Sequence, residues 1–482
     1  MKDFRSVFFI IGILLCIESL SMLIPMIVDL FYKNSDWKIF FFSSILTFFI
    51  GLVLFFSFRQ QKKVIKMREA FFLTIISWIV ISIFASLPFI YSSSNLNYTD
   101  AFFESISGIT TTGATVIPNL DNLSEGILIW RALLQWFGGI GIILLALAIL
   151  PTLQIGGMQL LHMEHDDPYE KTIPKINQFV FEILVIYIVI SFICALFYFI
   201  SGMSGFDAVA HSMTTISTGG FSTHNNSLAK FDSVNIELIS VFFMIIGSLP
   251  FVIYLKLTHG DIKSLFKDDQ IKLFLFIVFF LTVVTAFWLF TNFNNDFLES
   301  LRFAAFNITS ILTGTGYTSS NYSNWGSFGL VIMFIIMFIG GCAGSTTGGI
   351  KIFRLLLLFR GAKTQIKKLT HPHGVFVTSF NEKPVDDGTY NSIMGFFFIY
   401  ILVFIIASIL LSFFNLDFLT SISAAASAIS NVGPGLGNII GPNGNYSSIP
   451  NETKWILSIT MLIGRLELFT VLVLLSGSFW KK

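Results

Sequence analysis

The chain alternates apolar runs of about 20 residues with short polar stretches, the pattern of helices that cross ~30 Å of hydrocarbon. The runs lie near residues 7 to 30, 39 to 58, 70 to 91, 126 to 150, 178 to 201, 234 to 257, 271 to 292, 328 to 358, 390 to 414 and 453 to 479. They predict an all-α polytopic membrane protein. The first run follows Lys2 and Arg5 as a signal peptide would. It is too long for an h-region, carries Glu18 and Pro25 and lacks a small-residue cleavage site, so it reads as a helix.

Four connections hold half-apolar stretches of a different kind: DAFFESISGITTTGAT, DAVAHSMTTISTGGFS, FAAFNITSILTGTGYT and TSISAAASAISNVGPG. Each is too short to span and fits a re-entrant segment, helical first and then extended. Laid over one another without a gap, they bring Gly113, Gly220, Gly316 and Gly433 into register, with Glu104, His211, Asn307 and Ala424 nine residues earlier. Asp100 and Asp207 stand thirteen earlier in the first two copies, Phe303 and Thr420 in the others. Such repetition dictates architecture. It divides the chain into two leading helices (1–69) and four helix/pore-loop/helix repeats (70–150, 178–257, 271–368 with a broken second helix, and 390–482) around a pseudo-fourfold central pore.

Non-helical backbone at membrane depth is tolerable only where protein buries it or water and ions meet it. A ring of its carbonyls can replace the hydration shell of a cation. Glycine lets those carbonyls turn inward through backbone angles that a Cβ disfavours. The expected ion ligands are therefore Thr111, Thr112 and Gly113; Thr218, Gly219 and Gly220; Gly314, Thr315 and Gly316; and Asn431, Val432 and Gly433. The threonines add uncharged hydroxyls, Phe221 and Tyr317 wedge their strips, and the carboxyl-end dipoles of the short helices add partial negative charge. No ring of carboxylates is present, which fits a monovalent ion. One TTGA or TGTG alone is more often a packing surface; four in register favour a selectivity filter.

Composition agrees with a membrane setting: 54% hydrophobic and 12% charged residues, 57 Phe and a mean hydropathy of +0.79. The net charge of +1 argues against a nucleic-acid partner, and most of the 29 Lys and Arg gather in alternate loops. The positive-inside rule then puts both termini in the cytoplasm. Cys16, Cys194 and Cys342 fall in apolar segments with neither disulfide nor metal spacing. No dinucleotide fingerprint, P-loop, HExxH or intramembrane Ser-His or Asp-Asp arrangement occurs, so no enzyme and no organic cofactor is expected in this chain. A secondary transporter with a midplane site would show discontinuous helices in two halves, not four equivalent outer loops.

The helices after the strips hold WFGGIGI, MIIGSLPF, MFIGGCAGSTTGGIKIF and MLIGRLELF, with Gly139, Gly247, Gly340 and Gly464 at comparable depth. In the third copy Gly340, Gly341, Gly344, Ser345, Thr346, Thr347, Gly348 and Gly349 make a continuous helix costly. A break there sits in the ion's path, as a gate or as a kink that merely packs. Arg465 follows the aligned glycine of the fourth copy, and a charge at this depth costs ~2.5 kcal/mol or more unless it faces water or a partner. It either repels cations from a cavity below the filter or pairs with an acid such as Glu104 or Glu467. Glu104 and His211 read as braces behind the filter. HMEHDD (162–167) reads as a solvated loop, and Lys351, Arg354, Arg360, Lys363, Lys367 and Lys368 read mostly as anchors at the inner interface.

TTTGAT, STGGFS, TGTGYT and SNVGPG, in that order, resemble the Trk/Ktr/HKT superfamily of potassium transporters over nearly the whole chain. The two leading helices are similar to its TrkH branch more than to KtrB. In this superfamily a Ser at the first filter glycine accompanies sodium preference, so Gly113 and its three counterparts imply K⁺. The resemblance also implies that 340–349 is an intramembrane gate, that Arg465 limits permeation, and that THPHG lies at the cytoplasmic face. It further implies a TrkA-like cytosolic NAD/ATP-binding ring as regulatory partner, a homodimer with one pore per subunit, and residence in the bacterial cytoplasmic membrane. Coupling of K⁺ to H⁺ or Na⁺, or a Na⁺-permeable relative, are the alternatives it leaves open.

Overall fold

The computed structural model describes residues 4–59, 67–146, 173–293 and 296–480. Among them seven helices are long and apolar enough to cross a membrane: Arg5–Tyr32, Trp37–Ser57, Met67–Tyr91, Glu125–Leu144, Gln178–Ile200, Asp269–Asn292 and Asp387–Phe413. Their outer faces suit lipid; Phe276, Phe279 and Phe287 are 61%, 69% and 63% exposed. The HMEHDD loop lies outside the described residues.

The leading helices cross where glycines meet. A Cβ on Gly12 would lie 2.8 Å from the Gly51 carbonyl, and one on Gly51 would lie 3.0 Å from that of Gly12, so only small residues allow this approach. The pair is tied to the rest through a helix start. Asp29 Oδ1 accepts from the Gly126 amide at 2.7 Å and Asp36 Oδ2 from the Ser124 hydroxyl at 2.9 Å. Both carboxylates thus sit at the positive end of Glu125–Leu144.

Four short helices follow four first spans: Tyr98–Ile109, Gly205–Ile216, Phe297–Leu312 and Phe418–Ser430. At 12, 12, 16 and 13 residues they are too short to cross. Three start at the same register position, 16 residues before the aligned glycine. There Asn97, Ser204 and Asp417 accept from the amides of Asp100, Asp207 and Thr420. The third begins earlier, at Asp296.

The second helices depart from expectation. Residues 234–257 and 453–479 do not run as continuous spans: Val234–Ser248 and Phe251–Thr258 meet at 91°, and Asn451–Arg465 and Leu468–Leu475 at 113°. In the third copy Gly326–Met337 gives way to a loop before Ile352–Thr370, as the glycines predict. Pro250, which lacks an N–H, together with extended Leu249 breaks the second copy. The freed backbone is paired by the third copy's loop. The Cys342 and Thr346 amides donate to the carbonyls of Ser248 and Gly247 (3.0 and 3.3 Å), and Phe251 donates to Gly344 (3.0 Å). In the fourth copy Glu467 takes φ +62°.

The depth-aligned glycines also need correcting. A Cβ on Gly138, Gly247 or Gly464 would meet the carbonyls of Ile109, Ile216 and Ile429 at 1.9, 2.9 and 2.0 Å. The first-copy member is therefore Gly138; Gly139 instead abuts Ser217 and the Tyr187 hydroxyl. Gly340 has left this series and lies inside the loop, where its Cβ would fall 2.0 Å from the Gly348 carbonyl.

Candidate functional site

The four strips follow one backbone path. Three are closed by an amide donating to the carbonyl five residues back, Thr112 to Ser107, Gly219 to Thr214 and Thr315 to Ser310, each at 2.9 Å; Val432 does the same to Ser427 at 3.0 Å. The residue before each of these has positive φ: Thr111 52°, Thr218 50°, Gly314 68° and Asn431 56°. Two of them are β-branched, for which this conformation is a genuine outlier. The aligned glycines follow, at 82°, 73°, 80° and 102°.

Packing closes the strips into a ring. A Cβ on Gly113 would lie 2.2 Å from the Gly219 carbonyl, and one on Gly220 1.7 Å from that of Thr315. One on Gly316 would lie 2.1 Å from Val432 O, and one on Gly433 2.7 Å from Thr112 O. Each glycine thus admits the preceding carbonyl of the next copy, in the order one, two, three, four, one. All four line a single cavity of about 70 Å³, with Arg131, His224 and Tyr446 among its walls.

Most strip carbonyls have no protein donor. Among the described residues none donates to the carbonyls of Thr111, Thr112, Gly113, Thr218, Gly220, Gly314, Thr315, Gly316, Asn431 or Val432. Buried backbone of this kind is nearly always paired, so these bare acceptors are the exception to be explained. The exceptions are Gly219, whose carbonyl accepts from Gln135 Nε2 at 2.6 Å, and Gly433, which accepts from Ser427 and Tyr446 hydroxyls at 2.8 and 2.9 Å.

The braces behind the strips are register mates. Glu104 accepts from the Val116 amide at 2.9 Å and from Arg131 Nε at 2.8 Å; His211 Nε2 bonds Ser222 Oγ at 3.0 Å; Asn307 Nδ2 donates to Ser319 Oγ at 3.0 Å. In the fourth copy, where Ala424 has nothing to offer, Ser423 Oγ accepts from Leu436 N at 3.0 Å. The Tyr317 hydroxyl bonds Thr214 and donates to the His211 carbonyl at 3.2 Å, while Phe221 lies 4.1 Å beneath the Arg131 guanidinium. At the rim, His224 Nδ1 meets Asp121 at 2.6 Å and Nε2 meets Asp207 at 3.5 Å. The bond to Asp207 and then that to Asp121 hold the imidazole pKa above its ordinary value, against the opposing effect of burial.

The loop 340–349 lies against the other ends of the strips. A Cβ on Gly348 would fall 2.2 Å from the Ser430 carbonyl, and Thr346 Oγ1 is 3.1 Å from Thr218 Oγ1 and donates to Ile216 O at 3.1 Å. A parallel bridge between Ile339 and Ile350 closes the neck. Inside, Gly344 and Gly349 take φ of 74° and 65°, Gly341 N donates to Thr347 Oγ1 at 2.9 Å, and Ser345 Oγ donates to Cys342 O at 2.6 Å. Arg465, 3% exposed, donates through Nη1 to the Thr346 carbonyl at 2.8 Å. Its Nε and Nη2 are buried and find no partner among the described residues. The ion pair with Glu104 or Glu467 is not formed: Glu104 pairs with Arg131 and Glu467 with Arg354.

Two basic residues read as interface anchors are buried instead. Lys351 and Arg354 are 8% and 0% exposed. Sequence reasoning also missed Gln135, whose Nε2 clips Gly219 while its Oε1 accepts from Phe221 N at 2.9 Å. An amide in the middle of the run ALLQWFGG was the available signal.

Comparison with known proteins agrees with this fold. The family model described as "TrkH: Cation transport protein" matches residues 37–482. The chain is 40% identical over 87% of its length to the Trk system potassium uptake protein TrkI of Halomonas elongata, covering 85% of that protein. It is 38% identical over 99% of its length to the Trk system potassium uptake protein TrkH of Escherichia coli K12, covering 100% of it. The crystal structure of the potassium transporter TrkH from Vibrio parahaemolyticus superimposes with a TM-score of 0.92 at 37% identity, covering 100% of both chains. On fold, strips and sequence together, this chain belongs to the TrkH family of cation transport proteins.

Proposed function

We propose that the chain carries K⁺ across the bacterial cytoplasmic membrane through the ring of strips, with the loop 340–349 and Arg465 as its gate. The observation that carries this reading is the set of buried strip carbonyls with no protein donor, centred on four glycines that no Cβ could replace in place. A K⁺ ion entering the ring exchanges water oxygens for these carbonyls. The strips carry no carboxylate, and Glu104 behind the first is matched by Arg131 at 2.8 Å, so the ring is neutral and suited to a monovalent ion. The relatives named as potassium uptake proteins support the choice of K⁺.

Closure follows from the loop. Its backbone lies against Ser430 and Asn431, and Arg465 holds the Thr346 carbonyl while placing a positive charge below the ring. A cation leaving the ring meets a wall and a like charge. Opening requires the loop to leave Thr218, Gly247 and Arg465 together. The excess of Lys and Arg in alternate loops supports cytoplasmic termini, and the family supports a homodimer gated by a TrkA-like nucleotide-binding ring.

Cation flux into liposomes holding the purified protein tests this. K⁺ and Rb⁺ should pass in preference to Na⁺ and Li⁺, and the preference should fall in Gly113→Ser. Na⁺ preference in the unmodified protein would overturn the ion assignment, and unchanged ratios in Gly113→Ser would overturn the filter.

A further inference from the structure

The seams between strips rest on four equivalent carbonyls, those of Thr112, Gly219, Thr315 and Val432, each seated against the aligned glycine of a neighbouring copy. Those of Thr112, Thr315 and Val432 have no donor among the described residues. Gly219 differs. Gln135 Nε2 donates to its carbonyl at 2.6 Å, while Oε1 accepts from the Phe221 amide at 2.9 Å. Chemistry fixes which end of the side chain is which, since a backbone N–H can only donate and a carbonyl can only accept. Gly433, the other strip carbonyl that accepts, is held within its own copy by Ser427 and Tyr446.

Gln135 has no counterpart in the second and fourth copies. It lies three residues before Gly138, on Glu125–Leu144 of the first copy, and reaches across to the strip of the second. The residues three before Gly247 and Gly464 are Met244 and Met461, buried side chains with nothing to donate. The strip that Gln135 meets carries the matching exception. Where the others have Thr112, Thr315 and Val432, it has Gly219, whose φ is not positive, so backbone conformation does not demand a glycine there. A Cβ on Gly219 would fall 2.4 Å from Gln135 Cδ and 2.5 Å from its Oε1. The missing Cβ is the space for the amide. Arg131, one turn earlier, donates to the Ser222 carbonyl at 2.8 Å and ties the same strip to the same helix.

A donor at 2.6 Å changes what the Gly219 carbonyl offers an ion. The N–H takes one lone-pair direction of the oxygen and sets its own positive end beside the ring, so one carbonyl of the layer is already engaged. Conduction needs binding favourable enough to admit an ion and weak enough to release it. Four bare carbonyls would hold the ion more firmly. We infer that Gln135 is a positioning residue that weakens K⁺ binding at this layer, so that the ion leaves faster than a ring of four bare carbonyls would allow. Because Gln135 acts only through the Gly219 carbonyl, this role rests on the filter reading. A plain brace would act the other way: its loss would loosen the second strip, raise the K⁺ needed for half-maximal flux and blur the choice between K⁺ and Na⁺.

Gln135→Met installs the side chain found at Met244 and Met461 and removes the donor. The Phe221 amide that it frees borders the outer cavity, where water can accept from it. The native protein, Gln135→Met and Gly113→Ser are reconstituted in liposomes, and initial K⁺ flux is measured against K⁺ concentration with Na⁺ flux beside it. In Gln135→Met half-saturating K⁺ should fall about fivefold and maximal flux by a similar factor, the net worth of one hydrogen bond, while the preference for K⁺ over Na⁺ persists. In detergent, with choline as the replacement cation, the K⁺ concentration at which the melting temperature begins to rise should fall likewise. That measurement decides the matter if flux through the closed protein is too small to titrate. A half-saturation or melting onset that is unchanged or higher in Gln135→Met, or a lost K⁺ preference, overturns the role. If Gly113→Ser nevertheless changes the K⁺ over Na⁺ ratio in the same membranes, the filter stands without Gln135; if that ratio is also unchanged, the filter reading falls and the role with it. If Gln135→Met does not fold, Gln135→Asn, whose amide is one methylene too short to reach the Gly219 carbonyl, replaces it in both measurements.

Discussion

Serine placed separately at Gly113 and at Gly433 probes two quarters of one ring and should give unequal results. At Gly113 the new Cβ would lie 2.2 Å from the Gly219 carbonyl, which must retreat by about 0.8 Å to reach the 3.0 Å that real Cβ atoms respect. That carbonyl is held by Gln135 at 2.6 Å, so retreat strains a hydrogen bond worth ~1 kcal/mol. The φ of +82° adds the left-handed penalty of roughly 1–2 kcal/mol for any residue with a Cβ, a penalty that Gly433 at +102° shares, so the contrast between the two rests on the carbonyls. At Gly433 the overlap is with the Thr112 carbonyl at 2.7 Å, needing only about 0.3 Å, and no described residue donates to that oxygen. If the ring accommodates about 2 kcal/mol by moving its carbonyls, K⁺ over Na⁺ preference should fall some ten- to thirtyfold in Gly113→Ser. It should fall only a few-fold in Gly433→Ser. Paired K⁺ and Na⁺ fluxes in liposomes measure both ratios. Equal losses, or a greater loss at Gly433, would refute the argument that carbonyl displacement sets the effect.

Other perturbations follow from the same contacts. Arg465→Ala removes a charge-assisted bond of about 1.5–3 kcal/mol to the Thr346 carbonyl and should raise basal K⁺ flux at least tenfold, whereas unaltered flux in well-folded protein would count against the gate. Glu104→Gln leaves buried Arg131 without its counter-charge; thermal unfolding in detergent should show a loss of roughly 3 kcal/mol, and a native melting curve would contradict the brace. His224 has its pKa raised by Asp207 and Asp121, so its contribution is fully present below about pH 6.5 and is lost as pH rises through the raised folded value. The stability gap between the native protein and His224→Gln should therefore shrink from pH 6 to pH 9, and a gap that widened would reverse the assignment.

Much of this was legible in the residues because the constraint was local. The four aligned glycines needed only a positive φ and a missing Cβ, and both requirements write themselves into sequence at the position concerned. Glu104 and His211 were legible because a polar group in an apolar helix must find a partner. What stayed hidden depended on distant partners. Arg465 could not be matched to its carbonyl because the choice among Glu104, Glu467 and Thr346 is made by tertiary packing. Lys351 and Arg354 looked like interfacial cations since nothing in KIFR says which side of a helix is buried. The bend at Pro250 was visible as a proline but passed as a continuous span, because the loop that satisfies its freed backbone lies some 90 residues away in sequence.

That bend and that loop complete one another, with a consequence for how the path can open. Among the described residues the carbonyls of Gly247 and Ser248 and the amide of Phe251 are satisfied only by residues 342 to 346, so on the proposed gate the bonds that finish the second copy's fold are also those that would close the way through. A loop that swung aside into a dry cavity would strand these groups, at several kcal/mol each. They must be handed to water as the loop departs. Opening is therefore a hydration event as much as a movement, and the two states should differ in the water they hold, so that solutes excluded from the cavity favour closure.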